Sequence, residues 1–373
     1  MLTPLVKYPG GKEKELKHIL PNLPKKIANY YEPFVGGGAV YFAISEKIHK
    51  KYINDKSVDL IRLYNAVMTQ DKSFFALVNK MGQDWIWINL EKYASTASPL
   101  IWKKFNQLNT LVKSTDFFEN EIILNNILSD FKRKELIKDL LYSNLKRKVN
   151  YIYRQKENTE VTYDGFKDII HTAYKSAAYM YYRYLYNLGE EGYHSEGERA
   201  ALYLFLRQYA YSSMFRFSKQ GKFNVPYGGL SYNNINLNTK LKYFTNKDLL
   251  TALKTTKITN LDFEDFLEKY PPQKDDFLFI DPPYDSEFSK YDNLSFEAAE
   301  QRRLADYLIN RVNANWMIVI KDTELVRELY VDGKSTYNGQ QIYINNFQKK
   351  YNVNFRNRNK QRTQHLLITN YLI

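Results

Sequence analysis

Runs of apolar residues and their spacing divide the chain into three stretches. Near the start, Asn29–Val35 (NYYEPFV) reads as a strand, Gly36–Gly38 as a tight turn and Ala39–Ile48 as a helix. Lys51–Asp55 is a second short strand. Ser57–Met68 returns to helical spacing, with Val58, Ile61 and Tyr64 or Asn65 near one face. Strand–helix–strand order of this kind predicts a parallel sheet. From Asp71 to about Leu206 helical spacing dominates, in Lys-rich and Tyr-rich stretches such as Phe131–Lys156 and Tyr174–Asn187, and Asn187–Glu198 reads as a glycine-containing exposed loop. Alternation of the β kind resumes near residue 256. Thr256–Tyr270 reads as strand then helix, Phe277–Ile280 as a short buried strand, and Ser295–Val312 as a helix capped by Ser295, with Glu297 and Ala298 in its first turn. Asn315–Asp322 is another buried strand and Thr363–Tyr371 a closing one. No repeat of fixed period is present. The economical reading is one α/β sheet domain, residues 1–70 and 250–373, interrupted by a largely helical insert, residues 71–249.

Charge narrows the choice of partner. The chain has 373 residues, enough for a sizeable core and two domains. Lys and Arg number 54 against 41 Asp and Glu, a formal net charge of +13, which argues for a polyanionic partner, either nucleic acid or an anionic membrane. Spanning a membrane is disfavoured, because runs such as Ala314–Ile320 fall far short of the roughly 20 apolar residues a helical span needs. The opening residues hold no apolar core for a signal peptide. With no cysteine there is no disulfide, thiolate metal site or cysteine nucleophile. The five histidines, His18, His49, His171, His194 and His365, are scattered and form no ligand motif, so a cytosolic protein without a metal is expected. The 33 tyrosines suit either an aromatic core or stacking on bases, and composition does not separate the two.

Three strand ends carry candidate chemistry. Asp281 ends the apolar run Phe277–Ile280, and Pro282 and Pro283 must stop that strand because neither can donate to a sheet ladder. The Gly36–Gly38 turn would let a ligand approach the backbone and the following helix closely, yet it is not the GxGxxG fingerprint, which disfavours a dehydrogenase. Asp55 follows at the end of the next strand, placed either for ribose hydroxyls or as the N-cap of the helix after it. Asp262 ends a third strand and would serve the adenine edge of a nucleoside or cap a helix. A glycine-rich turn and strand-tip carboxylates together define a crevice at the C-terminal ends of parallel strands.

Four stretches occur in one order: Lys7–Lys12 (KYPGGK), Glu32–Val40 (EPFVGGGAV) with Ile53–Asn65 (INDKSVDLIRLYN), Phe215–Gly228 (FRFSKQGKFNVPYG) and Asp281–Tyr284 (DPPY). Together they resemble the Dam-like, D12-type N6-adenine DNA methyltransferases. That resemblance implies an α/β fold: a Rossmann-like, S-adenosylmethionine-dependent methyltransferase sheet domain with a largely helical inserted DNA-recognition domain. It implies S-adenosyl-L-methionine as cofactor, double-stranded DNA as partner, a monomer, and the cytoplasm of a prokaryotic or phage-infected cell. A cognate restriction endonuclease, where one exists, would act separately. Carried over residue by residue, Tyr8 (where the family usually has tryptophan), Gly11, Lys12, Glu32, Phe34, Gly36, Gly38, Asp55, Asp262, Phe263 and Asp281 would form the cofactor site. Asp281, Pro282, Pro283 and Tyr284 would be catalytic. Tyr211, Ser212 (where asparagine is common), Arg216, Lys222, Asn224 and Tyr227 would meet DNA.

The implied chemistry fits these residue types. An exocyclic adenine amine is a poor nucleophile because its lone pair is delocalised into the ring. Hydrogen bonds from its N–H groups to Asp281 and to the Pro282 carbonyl would localise that lone pair, with Tyr284 stacked on the base and the prolines fixing the carbonyl. The absence of cysteine excludes cytosine C5 methylation, which requires a thiolate. The base must leave the duplex, at a cost of a few kcal/mol. Phosphate contacts from the basic insert, Lys132–Lys156 above all, would offset this, while Arg216 and Lys222 would bear on site choice. Two other readings compete: a cytosine-N4 methyltransferase, whose relatives more often carry serine at the strand tip, and a DNA-binding protein on a retired methyltransferase fold, against which the intact Lys12, Asp55 and DPPY stand.

Overall fold

The computed structural model describes residues 2–8, 10–44, 48, 50–86, 98–113, 131–156, 160–193, 195–283, 296–350 and 362–373. The chain forms two compact units, one made of residues up to Thr69 together with Phe244–Ile373, the other of Gln70–Tyr243. The second junction falls earlier than the 249/250 boundary expected from sequence. Helix Lys247–Lys254, capped by the Asn246 side chain on the N–H groups of Asp248 and Leu249, buries Leu249, Ala252 and Leu253. It packs against helix Val58–Thr69 and strand Thr256–Thr259, which places it in the first unit.

The first unit is built on a seven-stranded sheet: β1 Asn29–Glu32, β2 Lys50–Asn54, β3 Thr256–Thr259, β4 Phe277–Ile280, β5 Asn315–Lys321, β6 Tyr343–Lys350 and β7 Arg362–Thr369, in the order β3-β2-β1-β4-β5-β7-β6. The first five are parallel neighbours, with Tyr31 opposite both Tyr52 and Leu278, and Ile280 opposite Ile318. β7 runs antiparallel to both β5 and β6. All four residues of β4 are buried, as expected of a strand covered on both faces. β6 was missed by the sequence reading. Its YINNFQKK has little apolar content because an edge strand has one neighbour and keeps a polar margin.

Helices Phe263–Lys269 and Ala298–Asn310 share one apolar cluster with the sheet residues Leu278, Ile280, Trp316, Ile318 and Ile368. Ser295 lies outside the described residues; Glu297, expected in the first turn, is instead the extended N-cap position of helix Ala298–Asn310. Helix Val58–Thr69 buries Leu60, Ile61, Leu63, Tyr64, Ala66 and Val67, whereas Val58 is 47% exposed. The core stripe is therefore set by Leu60, Leu63, Tyr64 and Val67, with i, i+3, i+4, i+7 spacing, rather than the one that began at Val58.

The second unit is helical: Lys72–Ile86, 98–106, Lys134–Gln155, Tyr163–Asn187 and Glu196–Tyr209, followed by the turns of 210–232. Ser195 caps the last of these helices by accepting from the Glu198 N–H at 3.1 Å, and Thr162 does the same for helix Tyr163–Asn187 through the Gly165 N–H at 3.2 Å. Tyrosines 174, 179, 181, 182, 186, 203 and 209 are buried here, as are Tyr30, Tyr41, Tyr64 and Tyr330 in the sheet unit. Much of the tyrosine excess is thus core. Among the described residues, no helix is long and apolar enough to cross a membrane, and no group of three or more acidic or histidine side chains is placed to hold a metal ion.

Candidate active site

The chain leaves β1 and moves outward through β2 and β3, then returns to the other side of β1 as β4. The strand order therefore reverses between β1 and β4, and a crevice opens beyond their carboxyl ends. The loops that follow the parallel strands converge there.

Asp281 stands at the tip of β4, its side chain 19% exposed, with Pro282 buried and Pro283 exposed behind it. Lys12 reaches it from the far end of the sequence. The N-terminal loop turns at Gly10, whose φ is +78°, and closes with the Gly11 N–H on the Tyr8 carbonyl at 3.0 Å. This buries Lys12, 2% exposed, so that its ammonium donates to Asp281 Oδ1 and, at 3.1 Å, to the Gly10 carbonyl. Tyr284 lies outside the described residues.

The Gly36–Gly38 turn forms the adjoining wall. The Gly36 N–H donates to Asp55 Oδ2 at 2.9 Å, and the Tyr64 hydroxyl donates to the Gly36 carbonyl at 3.1 Å. Glycine is required at both ends of the turn. Gly36 and Gly38 have φ of +48° and +79°, a Cβ on Gly36 would sit 3.0 Å from the Tyr8 ring, and one on Gly38 would sit 2.5 Å from the Tyr64 hydroxyl. Asp55 Oδ1 accepts from the Ser57 N–H at 2.9 Å. Asp55 thus heads helix Val58–Thr69 and also grips the glycine turn.

Asn54, which the sequence reading missed, sets the spacing of these loops. Its buried amide donates to the carbonyls of Pro33 and Leu261 at 3.1 and 2.9 Å, and its oxygen accepts from the Leu261 N–H and the Thr259 hydroxyl, both at 2.8 Å. One side chain therefore ties together the exits of β1, β2 and β3.

Glu32, the last residue of β1, is buried and accepts from the Tyr30 hydroxyl at 2.7 Å. Burial pushes its carboxyl well above the ordinary glutamate value of 4.5; the Tyr30 hydrogen bond opposes this, and the charges of Asp281 and Asp55 add to it. The folded protein then holds a proton on Glu32 at pH values where the unfolded chain has released it, so stability falls as pH rises from that ordinary value through the raised one. The Glu32→Gln variant should lose this dependence. Thermal melts from about pH 5 to about pH 8 at constant ionic strength should show a shallower decline for the variant than for wild type.

Asp262 caps helix Phe263–Lys269 on the Glu264 N–H at 3.1 Å and receives the Arg303 fork at 2.8 and 2.9 Å. Burial alone would raise its carboxyl, but hydrogen bonds from Arg303 and the Glu264 N–H, with the nearby Lys56, hold it below the ordinary aspartate value. Arg303 also meets Glu264 at 3.0 Å and lies 4.3 Å above the centre of the Phe263 ring. Phe263, Phe34 and Phe296 pack together, with centroids 5.5–6.2 Å apart. The structure therefore supports the capping role for Asp262 and adds Arg303, whose only sequence signal is its place on the helix after DPPY.

In the second unit, helix Glu196–Tyr209 ends in a strained turn. Ser212 and Ser213 have φ of +53° and +51°, and Tyr211, at the head of the turn, is 42% exposed. Among residues other than glycine, asparagine is one of those best suited to this left-handed region, and serine is less so. Beyond it, Phe217 and Phe223 pair across a small hairpin whose exposed face carries Arg216, Lys222 and Asn224; Arg216 Nε donates to Asn224 Oδ1 at 3.0 Å. Tyr227 faces the other way. Its ring meets Trp85 edge-on, its hydroxyl donates to Asn233 at 2.7 Å, and burial pushes its hydroxyl pKa up, which gives it a packing role. In the Lys-rich helix, Lys146 donates to the Lys113 carbonyl, Arg147 donates to Asn144, and Lys148 is half-buried, its pKa lowered by burial and by Arg147. The exposed cations Lys132, Arg133 and Lys134 sit at the start of that helix, on an open surface depression shared with Glu135, Leu136 and Tyr184.

A switch-point crevice walled by a glycine turn and rimmed by strand-tip carboxylates, on this mixed seven-stranded sheet, is the arrangement of a Rossmann-like methyltransferase. The model of the D12 class N6 adenine-specific DNA methyltransferases matches residues 8–163 and 103–346, and the chain belongs to that family. It is 25% identical to the type II methyltransferase M.CviBI of Paramecium bursaria Chlorella virus NC1A over 374 residues, covering 99% of this chain and 100% of that protein. It is also 25% identical to the type II methyltransferase M.MjaIII of Methanocaldococcus jannaschii, over 82% of this chain and 79% of that one. To the DNA adenine methylase of Haemophilus influenzae it is 21% identical, over 89% and 84%.

Proposed function

We propose that the protein moves the methyl group of S-adenosylmethionine directly to the N6 amine of adenine in duplex DNA, with the target base turned out of the helix. The observation that carries this reading is the Lys12–Asp281 pair at the tip of β4, joined to a two-proline turn and beside the Gly36–Gly38 turn. The residues fit the cofactor: the Tyr8 ring lies against a turn that cannot accept a Cβ, and the Asp55 carboxylate stands just past the end of β2 against that same turn. Tyr8, Gly36, Gly38 and Asp55 would hold it, with Phe34 and Phe263 as apolar surface for its adenine. When bound, S-adenosylmethionine supplies an electrophilic methyl on a sulfonium.

The chain's own groups prepare the amine. Asp281 accepts one amine N–H and the Pro282 carbonyl the other, which draws the nitrogen toward a tetrahedral shape and frees its lone pair. Lys12 provides the counter-charge that holds Asp281 in place. Turning the base out costs a few kcal/mol. Phosphate contacts from Lys132, Arg133, Lys134 and the hairpin cations Arg216 and Lys222 offset it.

The test is product identity. Duplex DNA incubated with the protein and S-adenosylmethionine labelled in its methyl group, then digested to nucleosides, should give label in N6-methyldeoxyadenosine. Label in N4-methyldeoxycytidine would move the target to cytosine. DNA binding without label would leave a binding protein on a methyltransferase fold.

A further inference from the structure

The two prolines after Asp281 create a mechanical problem. Neither has an N–H, so the turn cannot be fastened by its own backbone donors. Its carbonyls are what remain to hold it, and one of them is held from an unexpected place. Gln301, on helix Ala298–Asn310, donates from Nε2 to the Pro283 carbonyl at 3.0 Å. Gln301 is 1% exposed, and its Oε1 is buried with no hydrogen-bond partner among the described residues. Burying an amide with half of its hydrogen-bonding capacity unmet is unfavourable, and a leucine there would avoid the penalty. The pair is a poor investment for stability alone.

We infer that Gln301 is a positioning residue for methyl transfer, fixing the Pro282 carbonyl through Pro283. The path is short and stiff. The pyrrolidine ring locks φ at Pro283, and the hydrogen bond to its carbonyl fixes ψ there. With both dihedrals set, the preceding peptide, which carries the Pro282 carbonyl, takes a fixed orientation relative to helix Ala298–Asn310. That helix contributes Leu304 and Leu308 to the same apolar cluster to which β4 contributes Leu278 and Ile280. The carbonyl and Asp281 are then referred to one rigid body, and the two acceptors for the amine keep a constant separation.

This inference rests on the adenine-N6 reading, and its test separates the two. Wild-type transfer to N6 addresses that reading; the ratio of wild type to variant addresses the inference. Gln301→Leu keeps the volume and removes the donor. It should melt at or above the wild-type temperature and bind S-adenosylmethionine and duplex DNA as wild type does, while its single-turnover transfer rate falls by roughly 10–100-fold. Gln301→Glu can donate only when protonated, so its rate should recover toward wild type as pH falls, a profile that loss of packing would not produce. Gln301→Leu transferring at the wild-type rate would overturn the inference. So would a rate that falls only in step with melting temperature, or a Gln301→Glu profile parallel to wild type.

Discussion

Alanine at position 281 should reduce single-turnover methyl transfer by about 10³-fold or more, roughly 4 kcal/mol in the barrier, with duplex DNA affinity close to wild type. The carboxylate sits at the tip of a fully buried strand, 19% exposed, and its described cation is Lys12, so its role is toward the crevice and not toward phosphates. Asp281→Asn is the sharper comparison. It keeps an acceptor oxygen in place but drops the charge that Lys12 balances, and should fall between alanine and wild type. Rapid-quench transfer assays with a labelled methyl donor, alongside equilibrium DNA titrations, measure both quantities. Turnover of Asp281→Ala within about tenfold of wild type, or ~1.4 kcal/mol, would remove Asp281 from the mechanism.

Lys12→Met should be the most damaging change to the fold and the site together. It removes the ammonium from a buried pair and leaves Asp281 beside Glu32 and Asp55 without its counter-charge. Breaking one side of such a pair typically costs about 3–5 kcal/mol, and the partial exposure of Asp281 favours the lower end. The Gly10 carbonyl loses a donor as well, so the loop carrying Tyr8 should loosen and S-adenosylmethionine affinity should drop. Combining Lys12→Met with Asp281→Asn should restore part of the lost stability, because the orphaned charge is gone. Urea denaturation of the two single variants and the double variant measures this. Strict additivity would mean that the pair does not couple.

Much of this site is legible in the sequence because its parts are local. Phe277–Ile280 followed by two prolines specifies a strand that ends at Asp281, and three glycines between an apolar strand and an apolar helix specify a turn. What holds those parts is not local. Lys12 and Asp281 lie 269 positions apart, Asn54 and Leu261 lie 207 apart, and the Asp262–Arg303 pair spans 41. No periodicity encodes such pairs. Gln301 is invisible for the same reason: a glutamine in a charged helix reads as surface until the helix is seen packed behind the proline turn. The edge strand β6 escapes because its polar residues answer to solvent and one neighbour, and Val58 misleads because a first-turn residue can point outward even when it matches the helical period.

The sheet has a further consequence, for synthesis. β2 must pair with β3, and the Thr259 hydroxyl that bonds Asn54 arrives 205 positions later. At about 5–20 residues per second, a ribosome takes about 10–40 s to cover that distance. Until then β1 and β2 are at most a two-stranded ribbon, too small to be stable and open along both edges. The helices of Gln70–Tyr243, which contact one another, can fold while the chain is still attached. The expected order is therefore insert first and sheet last. Limited proteolysis of chains stalled just before Thr256 should find the insert protected and the Asn29–Asn54 region cut; protection of both would mean that the N-terminal strands find shelter before their partners exist.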